Sequence, residues 1–150
     1  IIPILHEIGK SDEIKHFKLT DERMTRFVMT LDQSVDLIEH ALIHGKSGDI
    51  VIPSLISCKI KDLIEIFSEL YNKPIVKIPL RPGEKMLESL INETQAMRLV
   101  KDTNSNYMYI RPPYSSTKNN CEIKDYNSTL NPLTKKELKD YLNKLDLLNC

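Results

Sequence analysis

IKDLIEIFSELYNKPIVKIPLRPGEK, residues 60–85, decides the fold class of this chain. Its first half carries apolar residues at helical spacing, which predicts an amphipathic helix over residues 60–71. The apolar run at residues 74–80 predicts a strand, and a second helix is predicted to start near Glu84. A helix, a strand and a further helix in succession indicate an α/β fold.

The run Arg81-Pro82-Gly83-Glu84-Lys85 lies where that strand would meet that helix. Such a junction presents backbone N–H groups and the positive end of a helix dipole to a ligand. Arg81 adds a planar five-donor group suited to phosphate, and Glu84 adds an acceptor for sugar hydroxyls. The run therefore suggests a nucleotide or nucleotide-sugar site. The alternative is an ordinary turn, in which Pro fixes φ and Gly permits positive φ.

Toward the N-terminus, two more helices are predicted. A short amphipathic helix ends at Gly9, and a longer one begins at a capping box formed by Thr30 and Gln33 and ends at Gly45. The apolar face of the longer helix consists of Leu31, Val35, Ile38 and Leu42. A strand is predicted at residues 15–20 and a buried strand at residues 49–52, and residues 26–29 are predicted to form a short strand or a bend.

Toward the C-terminus, helices are predicted from residue 84 to 91 and over residues 96–100. Residues 107–110 suit a strand, and residues 112–120 form a polar, Pro- and Asn-rich loop. Thr134 and Glu137 form a second capping box, with Leu133 and Leu138 as its hydrophobic staple, at the start of the last helix.

Composition excludes several function classes. The chain has 150 residues with 21 basic and 21 acidic side chains, so a general electrostatic grip on nucleic acid is not expected. No apolar run approaches membrane-spanning length. The three cysteines are scattered and the four glycines form no dinucleotide-binding fingerprint, so no zinc ribbon, disulfide framework or bound cofactor is indicated. A reducing, cytoplasmic setting is the expectation.

Five segments in one order resemble a known family. They are Ile2-Pro3, residues 20–33 (TDERMTRFVMTLDQ), Gly48-Asp49-Ile50-Val51-Ile52-Pro53, Arg81-Pro82-Gly83-Glu84-Lys85 and Asp125-Tyr126-Asn127-Ser128. Together they are similar to the UDP-N-acetylglucosamine 4,6-dehydratases of surface-polysaccharide synthesis, which are extended short-chain dehydrogenases. Several such motifs in one order are far more specific than any one of them.

The resemblance implies an α/β substrate-binding domain whose Rossmann half lies upstream, in keeping with a chain that opens at Ile1 without an initiator Met. It implies an NAD- or NADP-dependent redox cycle that removes water from a UDP-sugar, with or without inversion at C5. The cofactor and the catalytic residues would belong to the missing domain, and this chain would hold none of them and no metal. The implied partners are the UDP-sugar, the chain's own N-terminal Rossmann domain and further copies of the full protein.

The implied organisation is a nucleotide-sugar-binding portion at residues 1–101, a polar linker at 102–124 and a C-terminal helix segment at 125–150. Residues 102–124 have no clear counterpart in the family. Leu87 and Ser54 replace residues that are common there, so the sugar and the stereochemistry stay open. The alternative function is a non-catalytic remnant or interaction module that lacks the cofactor domain.

The resemblance also suggests site residues. Arg26 and Arg81 would contact the diphosphate, and Glu84 would bind the ribose cis-diol. Two guanidinium groups suit a group with two negative charges. The competing interpretations are a surface pair of Arg26 with Asp21 or Glu22, and a Glu84 favoured only by a helix N-terminus.

Two further patterns are interpreted as coincidental. Tyr114 and Lys118 match the Tyr-x-x-x-Lys of short-chain dehydrogenases, but they lie in a loop composition and after the substrate-domain motifs. His40 and His44 are four apart on a helix, as in metal sites, yet no third ligand is spaced to complete a zinc site.

Overall fold

A computed structural model of the chain describes residues 1–116 and 120–149, and it shows a mixed α/β domain, as predicted. The helices in these residues are α1 (Ile2–Lys10), α2 (Leu31–His44), α3 (Ile60–Tyr71), α4 (Glu93–Ala96) and α5 (Lys135–Lys144). The strands are β1 (Phe17–Leu19), β2 (Thr25–Val28), β3 (Ile50–Pro53), β4 (Ile56–Lys59), β5 (Ile75–Lys77), β6 (Ser89–Ile91), β7 (Leu99–Lys101), β8 (Tyr107–Ile110) and β9 (Tyr126–Asn127).

The strands form several small sheets rather than one large one. β1 pairs in parallel with β5, and β2 pairs antiparallel with β4. β8 lies between β3 and β7, and β6 pairs with β9, all antiparallel. Because β8 lies within residues 102–124, the segment expected to be a linker contributes a central strand. The division at residues 101 and 124 stays a prediction.

The larger core is built on α3. Four of its side chains are almost fully buried, namely Leu63, Ile64, Ile66 and Phe67. They pack with residues of α1, β1 and α5, among which Leu5, Phe17, Leu138 and Leu142 are also buried. The helix predicted at residues 60–71 is confirmed, because its apolar stripe finds partners on three other elements.

Helix α1 continues one residue past Gly9, so the predicted end at Gly9 is wrong. The ring of Tyr71 occupies the space where a side chain at residue 9 would begin, 2.2 Å from the ideal Cβ position. Gly9 is therefore a packing glycine, which lets α1 approach α3. The helix end is instead held by Lys73, whose ammonium group donates to the carbonyl oxygens of Ile8, Ser11 and Ile14 at 2.5–2.8 Å.

The helix predicted between residues 84 and 91 does not form. Residues 84–88 have no regular secondary structure, and Ser89–Ile91 is strand β6, which pairs with β9. Asn92 then caps the short helix α4, and Leu99–Lys101 is strand β7 instead of a continued helix. The local periodicity favoured a helix, but pairing with a strand more than thirty residues away outweighs it.

Strand β3 is less buried than predicted. Ile52 packs in the smaller core with Ile91, Leu99 and Ile110, whereas Ile50 is half exposed. β3 is the outer strand of its sheet and begins at residue 50, one residue later than predicted. Pro53 belongs to the strand, which an edge position permits.

Helix α2 begins and ends as predicted. The Gln33 backbone N–H donates to the Thr30 hydroxyl oxygen, and the Thr30 backbone N–H donates to the Gln33 side-chain oxygen. The second capping box, at Thr134, is confirmed as well, and both members of the predicted staple lie in the larger core. The predicted apolar face of α2 is exposed, however, with Leu31 and Leu42 each 81% accessible.

No helix in the described part of the chain combines the length and the apolar character that crossing a bilayer needs.

Candidate functional site

A cavity of about 690 Å³ opens between β2, the loop at residues 78–88 and the first residues of α1. Its floor is apolar and comes from α3 and α5, including Leu63, Ile64 and Leu138. Its polar lining consists of Lys18, Thr20, Arg26, Arg81, Glu84 and Glu88. The three residues predicted from sequence therefore line one cavity, although two of them are more than fifty positions from the third.

Arg81 to Glu84 form a tight turn. The Glu84 N–H donates to the Arg81 carbonyl at 3.1 Å, with Pro82 and Gly83 between them. Gly83 has φ of +82°, and a Cβ there would meet open space, so the positive φ alone requires glycine. The predicted helix N-terminus is absent and the run forms a turn, while its role in binding a nucleotide stays a prediction.

The Arg81 side chain is exposed at the mouth of the cavity. Within residues 1–116 and 120–149 its guanidinium forms no ion pair, whereas its backbone N–H donates to the Glu84 carboxylate at 3.2 Å. The Arg81 side chain is thus exposed at the cavity, where its five donors are accessible to a ligand.

Arg26 lies in β2 and reaches across to the turn segment. Its Nη2 donates to the Lys85 carbonyl and its Nη1 to the Thr25 carbonyl, each at 2.7 Å. Its Nε is 3.7 Å from the Glu88 carboxylate. A quarter of the side chain remains accessible, so donors remain for a ligand in the cavity. Arg26 therefore ties β2 to residues 85–88.

The competing pairing of Arg26 with Asp21 or Glu22 is wrong. Asp21 accepts two hydrogen bonds from the Arg23 side chain and one from its backbone N–H, which lower the Asp21 pKa to about 2. Lys77 and then Lys61 hold the pKa of Glu22 below its usual value. Both carboxylates are thus occupied by other cations, which leaves Arg26 to face the cavity.

Glu84 does not cap a helix, so that interpretation also fails. Its two carboxylate oxygens accept from the Arg81 backbone N–H and, at 3.4 Å, from the Thr20 hydroxyl. A carboxylate has about four acceptor positions, so acceptor capacity remains for hydroxyl groups of a ligand. The two contacts orient the carboxylate beside Arg81.

Sequence reasoning missed Lys18, Thr20 and Glu88. Lys18 is the outward residue of β1, between buried Phe17 and Leu19, and this alternation could have placed it on the face toward the cavity. Glu88 lay in the segment predicted to be helical, so its contact with Arg26 had no sequence signal. Cys58 also borders the cavity, and burial raises the pKa of its thiol to about 11, so it stays protonated.

The two patterns that the sequence analysis interpreted as coincidental are His40 with His44 and Tyr114 with Lys118. His40 Nε2 lies 2.6 Å from the Tyr109 hydroxyl, and the His40 ring stacks on Tyr107 at 3.9 Å. No group of three or more metal-ligating side chains occurs among the described residues. Lys118 lies outside the described residues, and Tyr114 is exposed in a turn.

The glycines of the chain do not form a cradle for dinucleotide phosphates. Gly9 lies inside α1, Gly45 ends α2, and Gly48 and Gly83 lie in separate turns with positive φ. The described strand that leads directly into a helix is β4, which runs into α3 through Lys59 without a glycine. These residues do not fit a nicotinamide dinucleotide.

The chain matches a known protein family and several known proteins. The profile of a family described as polysaccharide biosynthesis protein matches residues 1–111. The chain is similar to an uncharacterized membrane protein of Methanocaldococcus jannaschii, with 34% identity over 99% of this chain and 46% of that protein. It is similar to a UDP-glucose 4-epimerase of Rickettsia typhi, with 31% identity over 97% of this chain and 46% of that protein.

Among solved structures, the X-ray structure of Pen from Bacillus thuringiensis has a similar fold. Its TM-score is 0.84 at 27% identity, over 98% of this chain and 46% of that one. The chain thus spans a little under half the length of the proteins it matches.

Proposed function

The chain belongs to the polysaccharide biosynthesis protein family, and we propose that it is the substrate-binding part of an enzyme that modifies a nucleotide sugar. The proposed substrate class is a UDP-sugar, and the proposed reaction is that of a UDP-N-acetylglucosamine 4,6-dehydratase in the cytoplasm. The observation that carries the proposal is the meeting of Arg26, Arg81 and Glu84 on one cavity.

Arg26 and Arg81 are proposed to bind the diphosphate. They come from two segments that the bond between Arg26 and the Lys85 carbonyl holds together. Among the described residues Arg81 offers an exposed guanidinium without an ion pair, and Arg26 offers one that is a quarter accessible, with part of its donors still open. Charge-assisted hydrogen bonds contribute about 1.5–3 kcal/mol each, so both together can supply much of the binding energy for UDP.

Glu84 is proposed to accept hydrogen bonds from the ribose cis-diol. A vicinal diol offers two O–H donors, which suits the remaining acceptor positions of a carboxylate. Two neutral donors, the Thr20 hydroxyl and the Arg81 backbone N–H, hold the Glu84 carboxylate in place. The apolar floor formed by α3 and α5 would then lie beneath the uridine or the sugar.

The nicotinamide cofactor is assigned to a preceding domain, because the described residues here do not fit it. Such a cofactor would accept and return hydride when bound there. The exposed apolar face of α2, formed by Leu31, Val35, Ile38 and Leu42, is proposed to pack on that domain. The relatives are about twice as long as this chain, which leaves room for one.

The test is a calorimetric titration of the chain with UDP. Arg81→Ala should weaken UDP binding by roughly 10- to 100-fold, since about 1.5–3 kcal/mol of charge-assisted bonding is lost. Arg23→Ala is the matched control, because Arg23 is an exposed arginine outside the cavity lining. Equal UDP affinity for Arg81→Ala and the unsubstituted chain would count against the proposal, and so would an absence of binding by both.

A second candidate reaction, 4-epimerisation of a UDP-hexose, is favoured by the name of the Rickettsia typhi relative. Both candidates use the same diphosphate site, so UDP binding does not separate them. A polypeptide that includes the preceding domain should release a 4-keto-6-deoxy product from UDP-N-acetylglucosamine if it is a dehydratase. Conversion of UDP-glucose to its 4-epimer without loss of water would support the second candidate, and no turnover of either would support a non-catalytic binding module.

A further inference from the structure

Ser128 is a fully buried serine at the end of β9, outside the cavity lining. It belongs to the C-terminal segment, yet its hydroxyl lies between the two segments that carry the candidate arginines. Buried hydroxyl groups are costly unless they are hydrogen-bonded, so its partners indicate what it holds in place.

Ser128 is bonded to Glu88 in both directions. The Ser128 backbone N–H donates to the Glu88 carbonyl at 2.8 Å, and the Glu88 backbone N–H donates to Ser128 Oγ at 3.0 Å. The same Oγ lies 2.7 Å from the hydroxyl of Thr25, which is buried as well. One side-chain oxygen thus joins residue 88 of the turn segment to the start of β2.

The contacts continue from Glu88 and Thr25 to the arginine on β2. The Glu88 carboxylate accepts from the Phe27 backbone N–H at 3.1 Å and lies 3.7 Å from Arg26 Nε. The Thr25 backbone N–H donates to the Met86 carbonyl at 3.0 Å. The residues on both sides of Arg26 are therefore fixed to residues 86–88, and Ser128 is bonded to both partners.

This arrangement matters because residues 81–88 contain no helix or strand to fix their position. Hydrogen bonds at their C-terminal end, together with the bond from Arg26 to the Lys85 carbonyl, hold this segment against β2. We propose that Ser128 is a positioning residue, which sets the spacing of the two guanidinium groups and thereby couples the C-terminal segment to UDP affinity. This inference rests on the proposed function of the cavity.

The binding arm of the test compares variants that remove or keep one oxygen. Ser128→Ala should raise the dissociation constant for UDP at least fivefold, measured by calorimetry at a temperature where circular dichroism shows both proteins folded. Thr25→Val, which removes the partner hydroxyl, should act in the same direction, and Thr25→Ser, which keeps it, should restore affinity. Asn92→Ala is the control for general destabilisation, because it removes a helix cap on α4, which does not border the cavity, and should leave UDP affinity unchanged.

The second arm needs no ligand and uses amide hydrogen exchange. In Ser128→Ala the amides of Glu88 and Phe27 should exchange at least tenfold faster, while the amide of Ile60, bonded to the Met24 carbonyl, stays protected. Unchanged exchange at Phe27 would overturn the positioning role, as would equal UDP affinity in all variants. If the unsubstituted chain does not bind UDP, the proposed function fails, and the exchange result alone decides whether Ser128 holds the segment.

Discussion

Helices α2 and α3 have similar sequence patterns and opposite surroundings. Both carry apolar residues at helical spacing along one face, and both begin and end close to the predicted residues. The face of α3 is buried against α1, β1 and α5, whereas α2 has no buried residue. Periodicity therefore predicts the helix and its apolar face, but the presence of a covering partner depends on the rest of the protein.

The difference also explains the position of the cavity. Leu63 and Ile64 of α3 belong to the larger core and also border the cavity, so the best-packed helix supports the site. The α2 face is exposed within the described chain, with its four apolar side chains 56–81% accessible. Exposed apolar surface of this kind is typical of an interaction site. One helix thus stabilises this domain, and the packing of the other on a neighbour stays a proposal.

The largest difference in stability is expected between variants that truncate one apolar side chain on α3 and one on α2. Phe67→Ala on α3 should lower the free energy of unfolding by about 3–5 kcal/mol, because the ring is fully buried and leaves a cavity. Ile38→Ala on α2 should change it by less than about 0.5 kcal/mol, because that side chain is 60% exposed. Urea denaturation of both variants measures the contrast, and equal losses would show that α2 is covered in solution.

A smaller effect is expected from the two capping boxes. Thr134→Ala should lower the free energy of unfolding by about 1 kcal/mol, because α5 is part of the larger core. Thr30→Ala removes an equivalent cap from α2 and should leave the urea midpoint nearly unchanged. It should instead speed hydrogen exchange of the Ser34 amide, which donates to the Thr30 carbonyl. A global loss from Thr30→Ala as large as that from Thr134→Ala would contradict the distinction.

The smallest effect on stability is expected from acidification, which protonates carboxylates that are paired with basic side chains in the folded chain. Hydrogen bonds from Arg23 lower the Asp21 pKa from 3.8 to about 2, and Lys135 lowers the pKa of Glu69 on α3. A lowered folded-state pKa gives stability that is present above the unfolded value and is lost as pH falls from about 4 toward 2. Asp21→Asn should flatten the decline of the thermal midpoint over this range, and an unchanged slope would exclude Asp21 as a contributor.

Much of the fold could be predicted because its signals are local. The capping boxes at Thr30 and Thr134 and the apolar spacing of residues 60–71 report on structure within a few positions, and all three are confirmed. The helix expected from residue 84 failed because β6 pairs with β9, and no local pattern encodes such pairing. The burial expected for residues 49–52 failed in part for the same reason, since an edge position is set by sheet order.

Some residues of the candidate site could likewise be predicted from the sequence, and others could not. The turn residues Pro82 and Gly83 and the acceptor Glu84 could be identified because short motifs carry their own chemistry. Glu88 and Ser128 could not, because their importance arises only when residues 25–27, 86–88 and 128 meet in space. Motifs reveal the groups that would touch a ligand, while the groups that hold them in place require the fold.

The most direct test of a shared site for the two arginines is a double-mutant cycle on UDP affinity. Arg26→Gln and Arg81→Gln should each weaken UDP binding. The loss of UDP affinity in the double variant should differ from the product of the two single losses, because both groups contact one diphosphate. The corresponding coupling free energy should be at least about 0.5 kcal/mol. Purely additive losses, or no loss from one of the two, would contradict a common anion site formed by β2 and the turn at residues 81–84.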